Sequence, residues 1–277
     1  AEPIKIVNTN RYMFPVLNDN EIIKFIEVEN VEGEYFISIG SFFAEKLNEL
    51  SNNNYVIFEN IDGNIFATDG KQQFLLNNDK DTKNTYSNQD FTKEFENNFI
   101  NISSNKVIYD INEVQLKNSI ISQRSGSWNY QYPIVKQSGS QSCWAACMSS
   151  ILKGLGMNYS ENDVLRNANK TNNQTADSSE VKSFFRNYGI YASTGYGPLT
   201  ESSLSSEIRN GRAIWQAMYN FTKREGHAVV IYGYENKGTL WVSIMDPGYG
   251  QRYDCLVSSG RFRYDGKEST EYLYNLD

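Results

Sequence analysis

The sequence predicts an α+β fold, and three observations predict it. Much of the first hundred residues reads as strand with little helix. Residues 143–211 carry helical apolar stripes punctuated by caps and glycines, and apolar strand runs return after residue 213. Helices followed by a sheet, rather than strict alternation of the two, is the α+β order. Hydrophobic residues are 39% and charged residues 21% of 277, enough apolar material for a packed core in one large or two modest domains.

In the first half, Glu21 to Glu29 alternates polar and apolar side chains for most of its length, the period of a half-buried strand. Glu34 to Ile39 follows a Gly-containing turn, which suggests a hairpin. Ser41 to Leu50 suits a short amphipathic helix, with apolar residues at 42, 43, 47 and 50. Tyr55–Glu59 and Ile65–Thr68 flank Asp62-Gly63-Asn64, a strong hairpin signal. Residues 77–106 are polar apart from a candidate helix at Phe91–Phe99. A second polar segment, Ser122 to Ser127, precedes the aromatic patch Trp128–Tyr132 and marks a domain boundary, giving 1–122 and 123–277.

In the second half, Cys143 to Leu155 reads as an apolar helix stopped by Gly154 and Gly156. Ser160 with Asp163 is a capping-box variant that opens a second helix. Ser178 and Ser179 with Glu180 open a third helix, stopped by Gly189, and Thr200 caps a fourth. Strands are predicted at Ala213–Tyr219, His227–Tyr234 and Thr239–Met245, with two more near Arg261–Tyr264 and Glu271–Tyr274.

The formal charge is −7 and the pI near 5.0, with no Lys/Arg cluster, so a nucleic-acid partner is excluded. No apolar run approaches the roughly 18 residues that span a bilayer. Three cysteines allow at most one bridge, which excludes a disulfide scaffold. Beginning at Ala1-Glu2-Pro3, the chain suits one whose signal peptide has been removed, and the Asn-rich loops read as a secreted bacterial protein.

One constellation carries chemistry. Cys143 stands where the loop Gln137-Ser-Gly-Ser-Gln-Ser enters an apolar helix. A helix N-terminus favours an anion, here the nucleophilic thiolate. An isolated cysteine is more often a core residue, as Cys147 and Cys255 are read. The chain's single histidine, His227, opens the strand Gly226–Tyr234, so any Cys–His pair must use it. Asp246 closes the next strand in Met245-Asp246-Pro247-Gly248. Its carboxylate is placed to accept the Nδ1–H of His227, although Asp-Pro-Gly is also ordinary turn chemistry. Gln137, six positions before Cys143, offers a side-chain amide to join the Cys143 N–H in an oxyanion hole, with Gln141 as a rival. One histidine and scattered cysteines make no recognisable zinc set, and no cofactor is implied.

Together, Gln137-x5-Cys143-Trp144-Ala145, His227-Ala228-Val229 with Gly233 six residues on, and Asp246 resemble the papain-like cysteine peptidases over about residues 128–277. Asp246 stands where papain-like enzymes generally carry Asn, as in the double-glycine leader peptidases, to which Ile208-Arg-Asn-Gly211 is also similar. The chain departs from the papain pattern in three places. Cys143 and His227 are only 84 residues apart, Ser140-Gln141-Ser142 replaces the Gly-x-Cys signature, and Gly248 replaces the shielding aromatic. A free-standing secreted enzyme resembling streptopain or the staphopains fits best.

The resemblance implies an endopeptidase of peptides or proteins that uses Cys143, His227, Asp246 and Gln137. It also implies that residues 1–122 are a propeptide, an intramolecular inhibitor of a zymogen; a separate binding module is the alternative. Two rival functions remain. One is a Cys-His-Asp acyltransferase of the transglutaminase kind, in which an amine replaces water. The other is a catalytically silent binding protein. Trp144 reads as a core anchor, and Trp215, Tyr219 and Tyr249 as core or subsite residues.

Overall fold

The structure is a computed structural model, and it describes residues 4–5, 10–18, 21–41, 43–49, 56–59, 65–68, 73–76 and 128–277. The candidate helix at Phe91–Phe99, the Asp62-Gly63 turn and the polar boundary segment at 122–127 lie outside the described residues. The chain divides into two units, one of Ala1–Tyr35 with Ser41–Ser122 and one of Phe36–Gly40 with Gln123–Asp277.

In the first unit, β1 (Ile4–Lys5) pairs with β2 (Arg11–Asn18), and β2 pairs antiparallel with β3 (Glu21–Val31). The period-two pattern buries Met13 and Phe25, and a buried Arg11–Glu27 ion pair ties the two strands. The strand β4 (Glu34–Gly40) follows a tight turn at Glu32-Gly33, both with positive φ. Next comes α1 (Ala44–Asn48), shorter than the stripe at 41–50 predicted, which seats Phe43 5.7 Å from Phe25. β5 (Val56–Glu59), β6 (Ile65–Thr68) and β7 (Gln73–Leu75) form a separate antiparallel sheet.

The second unit is α+β. After β8 (Trp128–Asn129) come α2 (Cys143–Gly154), α3 (Glu161–Asn167) and α4 (Ser178–Arg186), then β9 (Ser193–Gly195) and α5 (Glu201–Ile208). Each of the last three helices starts at a capping box: Ser160 with Asp163, Asp177 with Glu180, and Thr200 with Ser203. The N-cap of α4 is Asp177, one residue before the serines that the sequence suggests. Hydrogen bonds from Ser160, aided by Arg166, hold the Asp163 carboxyl down at about 2.

The sheet comprises β10 (Ile214–Asn220), β11 (Glu225–Asn236), β12 (Leu240–Asp246), β13 (Gln251–Leu256), β14 (Arg263–Tyr264) and β15 (Lys267–Tyr274). Their order is β13-β12-β11-β10-β15-β14, antiparallel throughout, with β8 on β11 and β9 on β15. The sequence reading lacks β13, because Arg252 and Asp254 break its apolar run and leave only Tyr253 and Cys255 pointing inward. Phe36–Gly40 extends this sheet beyond β13, pairing Gly40 with Tyr253, Ile39 with Asp254 and Ser38 with Cys255. Phe36 is buried under the Arg263 guanidinium, which lies 5.6 Å from its ring centre.

The core lies between α2 and the sheet, where Trp144, Met148 and Ile151 meet Phe185, Val230 and Tyr232. Trp144 is the anchor the sequence suggests, 1% exposed, with its indole N–H donating to Gln174 O at 2.9 Å. Trp215 is buried in the same cluster, which removes it from the candidate subsite residues.

Candidate active site

The site forms where α2 begins beside the opening of β11 and the close of β12. Cys143 is the first residue of α2 and is half-buried. Ser142 sits at the N-cap, yet its side chain turns back to Gly139 and caps no amide, and no acidic residue occupies the first turn. The positive end of the helix therefore faces Cys143 without a competing anion of its own.

The loop that carries Cys143 is held from several sides. The Gln137 N–H donates to Pro247 O at 2.9 Å, and the Gln141 N–H donates to Asn172 O at 3.2 Å. The buried Glu161 carboxylate accepts the Ser138 N–H. Gly139 lies against Asn172 so closely that a Cβ would stand 2.2 Å from its carbonyl oxygen. Upstream, the buried Tyr132 hydroxyl donates to Gly211 O at 2.7 Å and accepts the Ala213 N–H, fixing the approach to Gln137.

On the sheet side, the register Val230↔Met245 carries Asp246 toward His227. His227 Nε2 lies 2.7 Å from Asp246 Oδ1. The Gly248 N–H donates to the same oxygen at 2.6 Å, and the Tyr264 hydroxyl donates to Oδ2 at 2.9 Å. Asp246 is 1% exposed. The ring is therefore turned the other way from the sequence reading, which gave Nδ1 to the carboxylate. With Nε2 on Asp246, Nδ1 is the nitrogen left for Cys143, which is among the neighbours that raise the ring's pKa.

Burial opposes charge on His227, but the Asp246 carboxylate beside it, with its hydrogen bond, and then Cys143 override that cost. They push the imidazole up from 6.5 to about 10. At neutral pH the ring is an imidazolium. A pKa raised on folding stabilises the fold fully below about 6.5, and that contribution is lost as pH rises through about 10. Asp246→Asn removes the main raising charge. It is expected to move the alkaline limb of the pH–rate profile down by about 1–3 pH units, the usual effect of one adjacent opposite charge. An unmoved limb would contradict the ion-pair reading.

Gln137 donates from Nε2 to Gly139 O at 2.7 Å, and its Oε1 is buried with no partner among the described residues. One Nε2 proton is thus committed to the loop and the other is available. Gln141, the rival, is exposed. The helix neighbour Cys147 is wholly buried, and burial, then the nearby Cys143, pushes its thiol well above 9. No disulfide joins Cys147 to Cys255.

Tyr264 is the site residue that the sequence reading missed. It stands just before Asp265-Gly266, both with positive φ, at the turn joining β14 to β15. That Asp-Gly pair was the available signal. Its ring and that of Tyr253 lie 4.4 Å apart, and Gly248, where a Cβ would stand 3.1 Å from Asp246 Oδ1, closes the other side. These residues enclose the carboxylate that the missing papain aromatic would otherwise shield.

Among the described residues there is no His/Cys/Asp/Glu cluster suited to a metal ion, and no helix is long and apolar enough to cross a membrane. The family model described as papain-like cysteine protease AvrRpt2 matches residues 125–263, half of the chain. The match takes in Gln137, Cys143, His227 and Asp246 and ends one residue before Tyr264. No curated protein matches the chain.

Proposed function

The chain belongs to the papain-like cysteine protease family, and on that premise we propose that it is a secreted bacterial endopeptidase, made as a zymogen, acting through Cys143, His227 and Asp246 with Gln137. The observation that carries the assignment of residues is the 2.7 Å contact between His227 Nε2 and Asp246 Oδ1, with Cys143 among the neighbours that favour the charged ring.

In the proposed reaction, His227 holds the Cys143 proton and leaves a thiolate at the start of α2. Cys143 Sγ attacks the scissile carbonyl carbon. The carbonyl oxygen takes up negative charge, which the Cys143 N–H and the available Nε2 proton of Gln137 receive. Collapse expels the amine, which takes its proton from His227, and leaves a thioester on Cys143. Water activated by the neutral imidazole then releases the acid and restores the ion pair. Asp246 keeps the ring in place and favours its charged form throughout. Protein or peptide substrates follow from the family.

The propeptide and secretion parts of the proposal rest on the resemblance to secreted papain-like zymogens. Incubation of the reduced chain beside Cys143→Ala, followed by intact mass under denaturing conditions, tests the zymogen. The wild type is expected to lose roughly its first 120–128 residues, the inferred domain break, while the variant stays whole. Loss from both chains at equal rates would remove Cys143 from the processing step.

A further inference from the structure

We propose that Tyr264 is a positioning residue of this site, holding the second carboxylate oxygen of Asp246 so that the first stays aligned on His227. The proposal rests on the Cys143–His227–Asp246 reading and deepens it.

A carboxylate has two equivalent oxygens and rotates freely unless both are engaged. Here Oδ1 receives His227 Nε2 and the Gly248 N–H, so an empty Oδ2 would be buried without a donor. A buried oxygen without a donor is unfavourable, and rotation or protonation of the carboxyl would relieve it. The Tyr264 hydroxyl supplies the missing donor at 2.9 Å. Burial and the adjacent carboxylate keep that hydroxyl protonated far above neutral pH, so it remains a donor throughout the working range.

Tyr264 itself is held rigidly. The Asp265-Gly266 turn fixes its strand, and Arg263 ion-pairs with Glu268 at 3.0 Å across that hairpin. Its ring packs on Tyr253, whose ring lies over Gly40 so closely that a Cβ there would stand 1.8 Å from Tyr253 Cδ1. A line of contact thus runs from Gly40 through two tyrosines to the carboxylate. Its last member lies outside the stretch that the family model matches.

The single histidine makes the test direct, because a chain labelled with nitrogen-15 histidine gives one imidazole. In the full-length wild type, the Nε2 proton is expected at low field and protected from solvent exchange. Asp246→Ala is expected to abolish that protection, and Tyr264→Phe to speed exchange at least about tenfold while the fold persists. Tyr253→Phe, whose hydroxyl bonds Gln251 instead, is expected to leave it unchanged.

If Tyr264→Phe exchanges like the wild type while Asp246→Ala does not, the positioning role is wrong and the triad stands. If Asp246→Ala also retains the protected proton, the triad reading fails with it. Should Tyr264→Phe not fold, the wild-type Tyr264 hydroxyl proton decides. Slow exchange supports the bond to Asp246, and exchange within the dead time overturns it.

Discussion

Replacing His227 with alanine is expected to lower kcat/KM by about four orders of magnitude or more, the scale on which members of a nucleophile–base pair act. The sequence and the proposed reaction together support so large a loss. The ring is the only histidine in the chain, so no neighbour can take over its proton transfers. In the proposed reaction it serves twice, as acid to the departing amine and as base to the incoming water. In that reaction its charge also stabilises the attacking sulfur, so the nucleophile weakens with the base. Because the two residues act as one unit, Cys143→Ala and the double variant are expected to fall to nearly the same residual rate. The measurement is hydrolysis of labelled casein by chains processed to the same point. Residual activity above about 1% of wild type would show that another group supplies the base.

A chain that begins at Gln123 is expected to be less stable than the second unit with Phe36–Gly40 in place, by roughly 3–6 kcal/mol. The segment buries Phe36 almost completely and covers the β13 edge with a hydrogen-bonded strand. Burying one aromatic side chain is worth about 2–3 kcal/mol, and each ladder bond adds about 1. Against a total of about 5–15 kcal/mol this is a large share. Exposing β13 also leaves an unpaired edge prone to association. The same loss reaches the site, since Tyr253 would no longer be backed by Gly40. A chain cut near residue 122 behaves differently, because Phe36–Gly40 remains paired with β13 after the cut. Thermal unfolding of the fragment and of the cut chain distinguishes them. The fragment is expected to melt about 6–20 °C lower, and equal melting temperatures would remove Phe36–Gly40 from the second unit's stability. In the proposed zymogen, processing at that boundary would therefore not by itself strip the enzyme of this strand.

Features set by local chemistry were the easiest to read from sequence. The capping pairs at Ser160 and Thr200 place helix starts by hydrogen bonding within four residues, and the structure begins α3 and α5 there. The period-two pattern at Glu21–Glu29 and the glycine turn at Gly33 likewise give β3 and the start of β4. What stayed illegible depends on partners distant in the chain. β13 reads as polar because its neighbours β12 and Phe36–Gly40 supply the context that its own residues lack. Trp215 looked equally suited to a pocket until the α2 packing enclosed it.

At the site, Cys143, His227 and Asp246 stood out because each closes or opens an apolar element, where side chains converge. The orientation of the ring did not, since either nitrogen satisfies a spacing argument. Nor did Tyr264: its role exists only where β14 meets Asp246, and one tyrosine among 19 carries no signal alone.

The most direct test of the account is reaction of the reduced chain with an epoxysuccinyl peptide, read by intact mass and peptide mapping. Cys147 and Cys255 are fully buried, so only Cys143 combines access with an adjacent imidazolium. One adduct is expected, on Cys143, in the wild type after processing near residues 120–128, and none on Cys143→Ala. An unlabelled wild type after that cut, or a variant labelled as fast as wild type, would contradict Cys143 as the nucleophile.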